Sequence, residues 1–337
     1  MFHSTQSPVA PLIAALADRA GQAPAAAVHG LIAAGVDRLP LPGHGATLDR
    51  WRALAAVGAH DLSVAKLFEG HTDALAILAE AGHAPGADGG LWATWCAEPP
   101  DARLLLADGA AGCTLSGRKA WCSGARAASH AVVSCWNAAG EAVLAAVDLR
   151  APGVTVTDTG WHAVGMQGSE SVDVLFDRVP AAPLGAPGFY VARVGFWHGG
   201  AGVAACWFGA ADALADALRV RLRGQDDPHR LAQLGAVAVA LQGSAALMRA
   251  TAGMIDRAPG ADAMAAALAL RLHVEGTAAL ALDLVGRALG PGPLCKDAAM
   301  ARRFADLPVF IRQSHAERDQ AALGRLVAAA EGAPWTL

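Results

Sequence analysis

Three places in the chain carry residues whose types could do chemistry. The segment Leu115-Ser116-Gly117-Arg118-Lys119-Ala120-Trp121-Cys122-Ser123-Gly124-Ala125 sets an indole, a thiol and a hydroxyl side by side. An indole can wall an aromatic ligand and a hydroxyl can hydrogen-bond to it. The same two residues would serve equally well in a strand core and a turn. Asp297 stands just before Ala298-Ala299-Met300, where an aspartate makes a good helix N-cap. His315 lies in Arg312-Gln313-Ser314-His315-Ala316-Glu317-Arg318, whose charges favour an exposed helix face. Other constellations are missing. His60, His71, His83 and His273 have no second ligand at metal spacing, so packing or solvent contact is expected and no metal. The six cysteines (96, 113, 122, 135, 206, 295) contain no Cys-x-x-Cys pair and no framework spacing. They are expected to be reduced and mostly buried, Cys122 included. No Gly-x-Ser-x-Gly element suggests a serine hydrolase, and no Gly-x-Gly-x-x-Gly follows a strand, which disfavours a dinucleotide-binding Rossmann domain.

The elements that must position these groups follow from periodicity. From Pro8 to about Gly82 the pattern is helical, clearest over Ala53–Glu80, and Ala84 to Gly90 reads as a loop. Short strand-like runs follow: Thr114–Leu115 into Arg118–Cys122, His130–Trp136, Glu141–Leu149, Gly153–Thr157 and Ser171–Val179. Regular spacing of this kind suggests a small barrel or sandwich. Helical patterns return at Gly199–Arg221, Asp227–Ile255, Ala261–Ala288 and Ala298–Ala330, with Asp227-Pro228 a good helix start. Long amphipathic helices with short links argue for a bundle. Helices, then strands, then helices give an α+β class with segregated layers. The expected domains are helical over 1–88, β over 89–185 and a four-helix bundle over 186–337.

A chain of 337 residues can hold two or three such domains. Its net charge of −4, with scattered Lys and Arg, gives no reason to expect nucleic acid or a membrane surface. Hydrophobic residues make up 54%, much of it alanine, so the positive mean hydropathy reflects tightly packed helices. No apolar run reaches the length of a membrane span, the short, Gly/Ala-rich Gly199–Ala211 coming closest. Met1 to Pro11 lacks a secretory pattern, and the cytoplasm is the expected location.

The Leu115–Ala125 segment resembles the L-x-G-x-K-x-W-I-T-N segment of the acyl-CoA dehydrogenase family. Trp95-Cys96-Ala97-Glu98-Pro99 is similar to that family's C-x-T-E-P element. Gly165-Met166 through Ser169, Ser171 and Asp173 to Pro180 resembles the passage that closes its β-domain. Arg287-Ala288-Leu289-Gly290 through Asp297 runs without a gap in register with Q-x-x-G-G-x-G-Y-x-x-E, and Arg302 and Asp306 continue that register. The chain departs from the family in three places. G-S-D is replaced by Pro100-Asp101-Ala102, Q-R-x-x-F-G is blurred at Arg223–Pro228, and Arg287 and Pro291 replace the Gln and a Gly.

The resemblance implies a divergent, short member of that family, with FAD held by Trp95, Cys96, Ala97, Trp121, Cys122, Ser123, Arg287 and Gly290. Trp121 would pack on the flavin and Ser123 would donate its hydroxyl near N5. The implied reaction is α,β-dehydrogenation of an acyl-CoA or other acyl thioester. Asp297 would take the α-proton, and Phe196 and His198 would line the acyl pocket. The resemblance also implies a homodimer or homotetramer, with electron-transfer flavoprotein as an acceptor. Two other readings stand beside it. One is a flavin monooxygenase on the same scaffold, with His315 near the flavin. The other is a degenerate, non-catalytic subunit, motivated by the rewritten motifs.

Overall fold

The computed structural model describes residues 9–86, 89–110, 112–333 and 335. The expected domain limits at 1, 88 and 337, part of the loop expected over 84–90, and the first eight residues of the segment read for a secretory pattern lie outside the described residues. The chain divides into two compact units: Met1–Leu39 with Ser63–Phe196, and Pro40–Leu62 with Trp197–Leu337.

The first unit holds the strands. Its helices are α1 (Val9–Ala17), α2 (Pro24–Ala33), nearly all of α4 (Leu62–Glu80) and the short α5 (Phe189–Ala192). Its strands are β1 (Trp92–Trp95), β2 (Leu104–Ala107), β3 (Thr114–Cys122), β4 (His130–Trp136), β5 (Ala142–Asp148), β6 (Val154–Val156) and β7 (Val172–Leu184). The order β4-β2-β3-β7-β5 closes on itself because β5 also pairs with β4, so these strands form a small barrel. β1 is added in parallel to β4, and β6 antiparallel to β7. β4 is buried at five successive positions, Ala131 to Cys135. Both of its faces are covered, so it lacks the in–out alternation of a half-buried strand. Ala74, Ile77 and Leu78 of α4 pack on Trp92, Val132, Leu144 and Leu184 to form the core.

Two polar ties run through this unit. His71 is paired rather than solitary: its Nε2 lies 3.2 Å from Asp37, and its Nδ1 accepts from the Trp92 N–H at 3.1 Å. The Lys119 ammonium, 2% exposed, donates to Glu98 at 2.6 Å and to the hydroxyl and carbonyl of Ser134 at 2.7 and 2.8 Å. Glu98 also accepts from Ser134 and from the Trp136 indole. A buried ammonium is tolerable only when its donors are met in this way.

The second unit is helical. It contains α3 (Thr47–His60), α6 (Gly195–Arg221) from Trp197 onward, α7 (Pro228–Arg257), α8 (Met264–Leu289), α9 (Pro291–Lys296), α10 (Ala298–Phe310) and α11 (Glu317–Ala328). Small residues let α3 and α6 touch along their backbones. A Cβ on Gly58 would overlap the Cys206 carbonyl, and one on Gly209 would overlap that of Ala55. Asp227 caps α7 by accepting from the His229 and Arg230 N–H groups, both at 3.1 Å, with Pro228 in the first turn.

Two expectations are corrected here. The last helix is not continuous from Ala298 to Ala330: α10 ends at Phe310 in a 3₁₀ turn over Ile311–Gln313, and α11 begins only at Glu317. Pro308 removes a backbone donor late in α10, and Ala316 takes a left-handed φ of 42°. The absence of a long apolar run also does not carry over to whole helices. α6, α7 and α8 are each long and apolar enough, by length and composition, to cross a membrane. Dense alanine raises the average without making any one stretch uninterrupted. Of these, α6 is largely buried and α7 mostly exposed, with Val239 at 72%.

Candidate functional site

The site is built on a distorted stretch of β3. Its pairing with β7 shifts register between Lys119 and Cys122, which makes a bulge. Bulges re-aim side chains, and this one leaves Trp121 in the left-handed region at φ 56° with its indole 51% exposed. A bulky residue held there costs about 1–3 kcal/mol and persists only where its surroundings over-determine it. The surroundings are specific. Lys119 is anchored by Glu98 and Ser134 on one side of the bulge, and Cys122 is in the core on the other, its thiol directed at the Lys119 carbonyl at 3.2 Å. A large apolar side chain is thus held outward by a strained backbone.

Ser123 follows in a turn that three contacts fix. The Trp95 indole donates to the Ser123 carbonyl at 3.0 Å, and the Gly124 N–H donates to the Ser169 carbonyl at 2.7 Å. The Ser123 hydroxyl lies 2.7 Å from that of Ser171, which lies 2.8 Å from that of Ser169. Ser169 and Ser171 are buried and Ser123 is half-buried. Met166 and Glu170, on either side of the 3₁₀ turn Gln167–Ser169, are also left-handed, at φ 60° and 44°. A recess beside this turn is lined by Lys66, Gly70, Trp92, Thr94, Ser123 and Gly124. The exposed indole and the adjacent hydroxyl are the groups able to meet a planar aromatic ligand.

The remaining sequence candidates of the first unit fall in different surroundings. The Trp95 side chain is buried and its N–H is spent on Ser123, so it acts as a tie between β1 and the turn. Cys122 has a buried thiol pushed up by burial, which makes it a core residue. Cys96 is half-buried beside Tyr190, and burial pushes its thiol up to about 12. Neither cysteine side chain offers a thiolate. Ala97 is half-buried. Phe196 packs edge-to-face on Tyr190 at 5.2 Å. Near it, Arg193 is buried against Glu80 at 2.7 Å and Asp73 at 3.3 Å. Burial opposes the Arg193 charge, but the two carboxylates outweigh it. Sequence reasoning gave no role to Lys119, Arg193 or Tyr190. The Ser-x-Ser spacing at 169 and 171 was a signal for the hydroxyl chain, but its partner lies 48 residues away.

In the second unit, His198 is buried on α6 and packed so closely on Gly43 that a Cβ there would sit 2.6 Å from its Nδ1. The ring is thus enclosed within this unit. Arg287 is exposed on α8 and paired with Asp283 at 2.8 Å, one turn earlier. Gly290, at φ 65°, joins α8 to α9. Asp297 is the N-cap of α10: its carboxylate accepts from the Ala299 and Met300 N–H groups, both at 3.1 Å. It is 44% exposed and lies 3.8 Å from Arg221. His315 sits between the 3₁₀ turn and α11, 63% exposed, with its ring 3.5 Å from Asp319. The structure therefore brings Trp95, Trp121 and Ser123 together, whereas Arg287, Gly290 and Asp297 lie along α8–α10.

Residues 100–179 match the acyl-CoA dehydrogenase middle domain. A comparison with curated proteins gave no match. Among solved structures, KijD3 in complex with FMN and dTDP-3-amino-2,3,6-trideoxy-4-keto-3-methyl-D-glucose is 21% identical, with a TM-score of 0.80 over 95% of this chain and 92% of that one. Dibenzothiophene monooxygenase (TdsC) from Paenibacillus sp. A11-2 is 16% identical, with a TM-score of 0.79 over 98% of both chains. Methanesulfinate monooxygenase MsuC from Pseudomonas fluorescens is 18% identical, with a TM-score of 0.80 over 98% of both. At these identities the likeness speaks for the fold. With its β-region matching that middle domain and nearly its whole length following these structures, the chain is a divergent member of the acyl-CoA dehydrogenase-like fold.

Proposed function

We propose that this protein is a flavin-dependent monooxygenase that takes reduced FMN and dioxygen to oxygenate a small organic substrate. The observation that carries this reading over dehydrogenation is the state of Asp297. A carboxylate that removes an α-proton needs a dry site. Asp297 caps α10 through Oδ1, and its side chain is 44% exposed. KijD3 and TdsC, whose structures hold FMN, and the monooxygenases TdsC and MsuC share this fold and lend support.

The residues of the β3 bulge fit a flavin. Trp121 offers an apolar wall for a tricyclic ring, and Ser123 places a hydroxyl two residues on. When bound, a flavin would supply the electrons that activate oxygen. The chain's own work would be to wall the ring with Trp121, to offer the Ser123 hydroxyl, and to keep both fixed through Lys119, Glu98 and Trp95. His315, its ring 63% exposed, is kept as the candidate histidine of this reading.

The reading extends to a three-part layout over 1–88, 89–185 and 186–337, a homodimer or homotetramer, a cytoplasmic location, and no nucleic-acid or membrane partner. Dehydrogenation with FAD, an acyl thioester and electron-transfer flavoprotein is the second reading, favoured by the match at 100–179 and by the ungapped register that ends at Asp297. One experiment separates the two. Purified protein given chemically reduced FMN should consume oxygen faster, and transfer one oxygen atom, when a sulfur-, nitrogen- or ring-containing substrate is present. Anaerobic bleaching of bound flavin by an acyl-CoA would overturn the monooxygenase reading.

A further inference from the structure

The three serines behind the bulge form a one-way chain. A serine hydroxyl has a single hydrogen to give, together with lone pairs that accept. Ser169 gives its hydrogen to the Met166 carbonyl, at 2.7 Å. It can therefore only accept from Ser171, 2.8 Å away. With its own hydrogen so committed, Ser171 can only accept from Ser123, at 2.7 Å. The hydrogen of Ser123 is thereby turned inward, and its oxygen presents lone pairs to whatever stands in front of it.

The chain is held rigidly enough for its direction to persist. Its inner members, Ser169 and Ser171, are 1% and 3% exposed, so water does not compete for their hydrogens. The left-handed residues Met166 and Glu170 bracket it, and the Gly124–Ser169 backbone bond clamps its two ends together. Strain kept at such a cost is a mark of function.

We propose that Ser171, with Ser169 behind it, is a positioning residue that fixes Ser123 as a hydrogen-bond acceptor, so that the site selects reduced over oxidised flavin. N5 of oxidised flavin is an acceptor, and set against the Ser123 oxygen it would meet lone pair against lone pair. N5 of reduced flavin carries a hydrogen and would donate to the same oxygen. The inference rests on the reading that a flavin lies against Trp121 and Ser123. It assigns the redox preference to the hydroxyl chain behind them.

The test is anaerobic titration of the protein with oxidised FMN and with dithionite-reduced FMN, followed by flavin absorbance and fluorescence. Wild type should bind the reduced form about tenfold more tightly, the difference one hydrogen bond makes. Ser171→Ala frees the Ser123 hydroxyl to turn and donate, so oxidised FMN should bind more tightly than it does to wild type. A merely damaged site would not gain affinity. Ser123→Ala should narrow the ratio from the other side, by weakening reduced FMN. Should Ser171→Ala not fold, Ser169→Ala frees Ser171 to flip and predicts the same gain. Equal wild-type affinity for the two forms, or an unchanged ratio in both Ser171→Ala and Ser169→Ala, overturns the inference while leaving a flavin site in place. Failure of wild type to bind either form overturns the functional reading itself, and the inference with it.

Discussion

The β3 bulge and the start of α10 hold the two stretches of sequence most suggestive of chemistry, and they use their polar groups in opposite ways. At the bulge, a buried ammonium, a part-exposed carboxylate and a chain of hydroxyls serve to hold an indole and one oxygen outward on a strained backbone. At α10, the carboxylate satisfies the first N–H groups of its own helix in an unstrained, exposed position. The difference teaches that agreement with a family pattern and fitness for its chemistry are separate matters. A motif residue whose hydrogen bonds are met locally is held by secondary structure. A residue forced into an unfavourable conformation by distant partners is held for something else.

The contrast can be tested from its strongest element downward. Glu98→Ala removes the carboxylate that neutralises buried Lys119, and should cost about 3 kcal/mol of unfolding free energy by urea titration. A loss no larger than that of a surface substitution would mean that the bulge is not anchored as described. At Trp121, any truncation should weaken FMN binding by about tenfold or more, the loss of an aromatic contact. Stability should rank the other way. Trp121→Gly should be about 1 kcal/mol more stable than Trp121→Ala, because only glycine adopts a positive φ without strain. The ordinary strand ranking, alanine above glycine, would show that the left-handed conformation is not imposed.

At α10 the effects should be smaller and purely structural. Asp297→Ala should cost about 1 kcal/mol for a lost cap, while Asp297→Asn, itself a good cap, should leave both stability and flavin-dependent oxygen consumption unchanged. Abolished turnover with retained flavin in the asparagine variant would instead support the proton-abstracting role.

The smallest effect is on pH dependence. Burial opposes the Glu98 charge, but hydrogen bonds from Lys119, Ser134 and Trp136 outweigh it and lower its pKa below the ordinary 4.5. A depressed carboxylate stabilises fully above that ordinary value, and its contribution is lost as pH falls through the lower folded value. Urea midpoints measured from neutral pH downward should therefore show a shallower acid decline in Glu98→Gln than in wild type.

The order of elements was legible because it depends on local pattern. The strand runs at His130–Trp136 and within Glu141–Leu149 sit almost where the structure has β4 and β5. β1 and β2 were missed, since four residues give too little periodicity to separate a strand from a loop. At the site, Trp121 and Ser123 were visible by type and spacing. Their geometry was not, because the bulge arises from pairing with β7, some fifty residues further on. The break after Phe310 was missed for the same reason that helices overrun in sequence reading: the alanine-rich pattern resumes in α11 and hides the turn between.

The sequence by itself determined what is settled within a few residues: the succession of helices and strands, the caps at Asp227 and Asp297, and the small residues of α6. A capping carboxylate reaches two and three residues ahead, so its partners are already written beside it. Only the tertiary structure decided that Lys119 is buried against Glu98, that Trp121 faces outward, and that the Ser123 hydroxyl is hydrogen-bonded to Ser171. Those outcomes depend on groups 15 to 48 residues distant, and the direction of a hydroxyl is fixed only once every neighbour that could accept from it is in place.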